Sequence, residues 1–264
     1  MKRLIFTLSL FVIFLTTVFP SAGSAVEMSA GIYTWYAWWD LAEDNNCESD
    51  VDPALLYGPA LSVGFTNDLS LTFVFLYGKF DVKETDYDEY YTSGGTEDIE
   101  YYNYEMNRID SDIALNYKLN SYLKIYLGAK YTSYSYDMDP DDNSIGMSAE
   151  IDFAVFGPGA GIGITLPLGN NFYFIGNLGG FYLWGEEERS FSGEPTQKSD
   201  CKDYGANIGV SVAYYIEPAS TTISLGGRYQ YIKTWVEGDD VDSDETDTEK
   251  FYGITLSATY SFSI

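Results

Sequence analysis

The chain has no histidine, only 14 basic residues against 40 acidic ones, two cysteines and eight prolines in 264 residues. Without histidine it lacks the commonest general base and zinc ligand at neutral pH. A formal net charge of −26 excludes a nucleic-acid role, because little here could displace counterions from phosphate. Only one long apolar run is present, Leu4 to Phe19. After it, nothing approaches the roughly 20 residues that a membrane-crossing helix needs.

That run reads as a secretory leader. Lys2 and Arg3 form its charged start, and Ser21-Ala-Gly-Ser-Ala25 offers small residues for cleavage after Ala25. Residues 1–25 are therefore expected to be a signal peptide and residues 26–264 a single domain. Losing two of the 14 bases takes the formal charge from −26 to −28. Export exposes Cys47 and Cys201 to an oxidising compartment, where a disulfide between them is expected and two separate thiols are the alternative.

What the chain does have is tyrosine and glycine, 25 of each, set in strict alternation. At the C-terminus, Tyr252, Ile254, Leu256, Ala258, Tyr260, Phe262 and Ile264 alternate with Gly253, Thr255, Ser257, Thr259, Ser261 and Ser263. That is a strand with one apolar and one small polar face. Similar runs flank four tight turns: Thr66-Asn-Asp68, Asn120-Ser121, Gly169-Asn-Asn171 and Glu217-Pro-Ala-Ser220. Long polar stretches lie between, at about 41–52, 83–100, 138–149, 186–203 and 237–249.

Antiparallel partners have residue numbers with a constant sum, and partners share a face. Sums of 134, 242, 340 and 437 around the four turns bring apolar residues opposite apolar ones. Examples are Leu61 with Phe73, Leu115 with Leu127, Leu168 with Phe172, Ile162 with Leu178 and Val212 with Leu225. Four turns and five loops give ten strands, with eight or twelve as alternatives. The first strand, Glu27 to Trp39, carries aromatics on both faces.

Each apolar stretch has the length of about 9–11 residues that a tilted strand needs to cross a bilayer. Aromatics such as Tyr57, Tyr77, Tyr131, Trp184 and Tyr229 cluster near the stretch ends, as at lipid interfaces. The opposite face includes Gly157, Gly159, Gly161 and Gly163, which supply too little apolar area for a soluble sandwich core. These features predict an all-β, antiparallel, up-and-down transmembrane barrel with short periplasmic turns and long acidic extracellular loops.

On these residues the chain resembles bacterial outer-membrane β-barrel proteins over its mature length. The resemblance implies an outer-membrane location, contact with lipid and lipopolysaccharide, and delivery to the barrel-insertion machinery through the last strand. That strand ends in Ser263-Ile264, where family members commonly end in an aromatic residue. In strand number the chain is similar to the omptin surface proteases. Their activity involves a histidine, which this chain lacks, so it is not carried over. No cofactor is implied and a non-enzymatic role is expected.

The register sets Asp112 opposite Lys130, with Asp110, Lys118 and Lys124 on the same inward face and Arg228 opposite Gly209. Two readings are open: a charged constriction that selects solutes, as in a narrow porin-like channel, or a salt-bridged plug filling a narrow barrel. The glycine ladder is expected to make room for bulky neighbours. Cys47 and Cys201 would lie in the first and fourth outer loops, where a bridge would tie the mouth. The last loop holds Asp239, Asp240, Asp242, Asp244 and Asp247, a candidate weak cation site without the glycine and terminal carboxylate of an EF-hand. An alternative function is surface binding or adhesion through loops rich in acid and in Tyr87, Tyr90, Tyr91, Tyr101 and Tyr102.

Overall fold

The computed structural model describes residues 26–41, 47–88, 98–138, 148–191, 193, 195–237 and 245–263. The expected leader lies outside the described residues. The strands are β1 (Glu27–Leu41), β2 (Cys47–Val51), β3 (Ala54–Gly64), β4 (Leu69–Asp88), β5 (Asp98–Lys118), β6 (Leu123–Met138), β7 (Ala149–Gly169), β8 (Phe172–Phe191), β9 (Gln197–Ile216), β10 (Thr221–Glu237) and β11 (Glu245–Ser263). Every ladder is antiparallel, and all but β2 form one ring in chain order. β1 closes the ring on β11 from Glu27↔Ser263 to Leu41↔Glu249. The result is a closed ten-stranded up-and-down barrel, in which no strand within the belt keeps a free edge.

The additional strand β2 has a simple origin. It pairs with the upper part of β4, from Cys47↔Asp86 to Val51↔Val82, while β3 pairs with the lower part, at Tyr57↔Tyr77 and beyond. The partner sum drops by one between the two ladders. Pro53, which has no N–H to donate, sits in the break. β2 is therefore the continuation of the second stave beyond a proline interruption.

All four registers hold: Ala60↔Val74, Lys118↔Lys124, Ile162↔Leu178 and Thr221↔Ile216. One pair differs. At the β7–β8 turn the ladder shifts so that Phe172 meets Gly169 in place of Leu168. Gly169, Asn170 and Asn171 all take positive φ there, of 94°, 49° and 64°, and this left-handed run bulges the turn.

The strands also run further than the polar stretches suggested. β4 and β5 continue to Asp88 and from Asp98, β8 and β9 to Phe191 and from Gln197. Polar composition does not stop a ladder when charges pair across it. Glu188 faces Lys198 and forms an ion pair with it, and Lys79 bonds Glu105 at 2.6 Å.

Alternate residues face opposite ways throughout. The outward set forms an apolar belt: Ile32 is 61% exposed, Leu127 64%, Leu225 59% and Leu256 50%. Tyr57, Tyr131, Tyr182, Trp184, Tyr229 and Tyr252 rim it toward the loops, and Tyr117, Tyr122, Phe172, Tyr214 and Tyr260 rim it toward the turns. A continuous apolar surface of this kind needs lipid around it.

At the closing seam the strands approach closely because two inward positions are glycine. A Cβ on Gly31 would overlap the Ala258 carbonyl oxygen, and one on Gly253 the Tyr36 carbonyl oxygen. Gly209, by contrast, has nothing nearer than 4.0 Å to its Cβ position. Gly253→Val is thus expected to lower the unfolding free energy by about 1–3 kcal/mol, and Gly209→Ala to change it by less than about 0.5 kcal/mol. Urea unfolding of the two variants in lipid vesicles checks this, and equal midpoints would refute it.

Candidate functional site

The inward face changes character halfway along the barrel. Toward the turns it is Gly31, Ser62, Ser70, Gly163, Ser211, Ser224, Ser257 and similar small residues. Toward the loops it is large and apolar. Trp35, Leu56, Leu76, Phe80, Leu183, Ile232 and Phe251 all point inward there at 0% exposure. The sequence reading expected a small polar inner face throughout; for the loop half this is corrected. Trp39 stacks on Phe251 at 5.1 Å and on Tyr134 at 5.7 Å between centroids. The loop half of the lumen is thereby a packed second core, and the aromatics on both faces of β1 are explained. Tyr36 and Trp38 face outward, while Trp35 and Trp39 face this core.

Charges close its underside. The β5–β6 ladder sets Asp112 opposite Lys130 and Asp110 opposite Thr132. Asp110 is 1% exposed and is reached by three cations: Lys130 Nζ at 2.8 Å and Arg108 Nη2 at 3.4 Å from its Oδ2, and Arg228 Nη2 at 3.2 Å from its Oδ1. Asp112 adds longer contacts to Lys130 at 3.6 Å and to Arg228 at 3.7 Å. Arg228 comes from β10 and also donates to Gln230 Oε1 at 2.9 Å. Both guanidiniums lie on aromatic faces, Arg108 3.6 Å from the Phe251 centroid and Arg228 4.4 Å from that of Trp35. Above them Arg108 Nη1 donates to the Tyr134 hydroxyl at 2.7 Å, which donates to Glu249 Oε2 at 2.9 Å. This charged and aromatic layer is a septum across the lumen. Several of its buried polar atoms have no hydrogen-bond partner among the described residues: Arg108 Nε, Thr132 Oγ1, Asp203 Oδ1, Gln230 Nε2 and Trp35 Nε1.

Below the septum the lumen is open. A cavity of about 260 Å³ is lined by Tyr33, Asn116, Lys124, Tyr126, Asn177 and Arg228 among others. A second, of about 470 Å³, lies at the turn-end mouth beside Glu27, Asn67 and Lys118. The glycines make this room. Tyr126 lies over Gly161 and Gly179, where any Cβ would meet its hydroxyl.

Asp110, Asp112, Lys130 and Arg228 are therefore brought together as their shared face implied. Lys118 and Lys124 are not part of that cluster. They face each other near the turn end, where Lys118 Nζ donates to the Asn67 carbonyl at 3.0 Å. Cys201 lies in β9, not in a loop. Its thiol is buried and free, so the expected bridge to Cys47 is not formed. The strand's alternation turns Cys201 into the packed upper lumen; the side chain of Cys47 lies outside the described residues. Asp239, Asp240, Asp242 and Asp244 are also outside them, as are the side chains of the loop tyrosines. Asp247 is an exposed residue of β11. Among the described residues no group of three acids or cysteines is placed to hold a metal.

Arg108, Tyr134, Gln230, Glu249 and Phe251 escaped the sequence reading. The signal for Arg108 was present, since Arg108, Asp110 and Asp112 share one parity on one strand. Nothing local identifies Glu249 or Phe251, which meet Arg108 only through barrel closure.

No family model and no curated protein matches the chain by sequence. Among solved structures, the outer membrane protease OmpT from Escherichia coli aligns with 94% of this chain and 100% of its own, at 12% identity and a TM-score of 0.57. OprG from Pseudomonas aeruginosa covers 90% and 95% at 12% identity and TM-score 0.37. A major outer membrane protein from Thermus thermophilus covers 90% and 100% at 17% identity and TM-score 0.39. The likeness to the OmpT structure is one of fold, a closed up-and-down β-barrel.

Removing the Asp110 charge would leave three buried cations without their common partner. Asp110→Asn is expected to lower the unfolding free energy by about 3–5 kcal/mol, whereas Lys79→Ala, which breaks an exposed ion pair, leaves the midpoint unchanged. Equilibrium urea titration of both refolded variants measures this; a wild-type midpoint for Asp110→Asn would contradict the geometry.

Proposed function

We propose that the protein resides in the bacterial outer membrane as a structural barrel. Its channel-like lumen is closed at rest, a vestibule that opens at the turn end and stops at the Asp110 septum. The single observation behind this reading is the septum itself, with Trp35, Arg108, Phe80 and Phe251 at 0% exposure across the barrel interior. A porin-type lumen would leave such side chains wet. The short turns are placed in the periplasm and the longer loops outside the cell, following export through the leader and contact with lipopolysaccharide and the insertion machinery. The role is non-enzymatic. With no histidine in the chain, the described carboxylates of the lumen serve to balance cations, not to activate a nucleophile.

A second reading is supported by the unpartnered polar atoms of the septum. Unsatisfied groups make the layer the least settled part of the interior, so a narrow small-solute conduit could open by its displacement. The acidic, tyrosine-rich loops offer no described side chains on which to build adhesion.

Planar-bilayer recording separates these readings. The resting barrel is expected to be silent at low voltage. Arg228→Ala removes the septum's only contribution from β10 to Asp110 among the described residues, and should raise the frequency of brief openings about tenfold or more. Steady porin-like conductance from the wild type would refute closure. Silence of both proteins over a full voltage ramp would refute the conduit.

A further inference from the structure

Basic residues are scarce in this chain, so where they stand without acids is informative. Most described cations have a carboxylate. Lys79 pairs with Glu105, Lys83 with Asp52, Lys198 with Glu188 and Lys250 with Asp40, while Arg108, Lys130 and Arg228 share Asp110. Lys124 has no ion-pair partner among the described residues. It also faces Lys118 directly across the β5–β6 ladder. Like charges directly opposite destabilise a sheet, and a chain with 40 acids had every means of placing one there.

The surroundings are arranged around this lysine. Its cross-strand partner on β7 is Gly163, which in turn pairs with Asn177 on β8. The Lys124 stem lies flat along Gly163, since a Cβ there would overlap its Cε, and the same Cβ position is 2.9 Å from Asn177 Oδ1. The acid nearest in the cavity lining, Asp112, is held between Lys130 at 3.6 Å and Arg228 at 3.7 Å. The cavity lining also contains Asn116, Asn177, Asn207, Tyr33 and Tyr126. Of the three cations in the lining, Lys130 and Arg228 share Asp110 and Asp112, which leaves Lys124 as the one without a carboxylate among the described residues.

We propose that this turn-side cavity is a binding site for a small anion of the carboxylate or phosphate class, with the Lys124 ammonium as its principal ligand. Lys118 lies across the ladder on the turn side, and the side-chain amides of Asn177 and Asn207 offer neutral donors, that of Asn116 being taken by Thr72 and the Ala114 carbonyl. At about 260 Å³ the cavity has room for a small solute. The anion would relieve the Lys118–Lys124 repulsion and carry the charge that no side chain supplies. The site does not depend on closure of the septum, because a conducting barrel would contain the same cavity.

The test is an amide NMR titration of the refolded full barrel in zwitterionic micelles, with inorganic phosphate and acetate in separate arms and sodium chloride at matched ionic strength as the control. Saturable shifts at Gly163 and Asn177 are expected for phosphate, acetate or both, and which arm saturates identifies the source. Lys124→Gln should weaken the response about tenfold, while Lys79→Gln leaves it unchanged. Lys124→Gln also removes the like-charge pair, so its unfolding midpoint should equal or exceed that of the wild type. Shifts that only follow chloride, or that survive intact in Lys124→Gln, overturn the site. If Lys124→Gln does not fold, Lys124→Arg keeps the charge and must still bind; loss of saturable binding there overturns the proposal as well.

Discussion

The interior depends on one carboxylate. Asp110 is buried on β5 and accepts charge from Arg108 on its own strand, Lys130 on β6 and Arg228 on β10. β5 and β6 are neighbours, but β10 belongs to a distant part of the ring. The cluster therefore ties one wall to another across the lumen. Bringing four charges out of water is costly, and their mutual attraction repays this only when the geometry is held. The surrounding aromatics help to hold it, with Phe251 and Trp35 supporting the two guanidiniums. The arrangement resists the removal of any member more than it adds to stability, and so it specifies where the lumen is closed.

The two halves of the lumen follow from one rule and one gradient. The rule is alternation, which sends every second residue inward along a whole strand. The gradient is the size of those inward residues. On β11 they run Phe251, Gly253, Thr255, Ser257, Thr259 and Ser261 from the loop side to the turn side. On β1 the same direction gives Trp39, Ala37, Trp35, Tyr33, Gly31 and Ser29. A narrow barrel has room for large side chains only if smaller ones face them. The loop half is consequently filled, and the turn half keeps two polar cavities.

The barrel was legible in the sequence because its rule is local and repeats. Four turns fixed four hairpin registers, and even the opposition of Asp112 to Lys130 and of Arg228 to Gly209 could be read from them. What could not be read is what crosses the lumen. The Tyr134–Glu249 hydrogen bond spans 115 residues and no ladder links the two strands; it exists because the ring closes at a particular diameter. The apolar upper core was hidden for a similar reason. Its members are spread as one to three inward residues per strand, so no single stretch announces it, and only the doubly aromatic β1 hinted at a second buried face. Cys201 was misplaced because the polar run around it looked like a loop, although paired charges extend the ladder through it.

The distribution of charge gives the closed lumen a direction. The chain carries 40 acids, and the inward charges at and below the septum include Arg108, Lys118, Lys124, Lys130 and Arg228 with Asp110, Asp112, Asp203 and Glu249. Water is excluded from the packed septum, so its charges are felt more strongly than the same number on a wet surface. The acidic segments near the loop end meet solvent and are screened within about 8 Å at physiological salt. A solute at the turn-end mouth thus encounters the interior cations before it feels those segments. The cations that Asp110 gathers seal the barrel, and Lys124, left below it without an ion-pair partner among the described residues, faces Lys118 across the ladder.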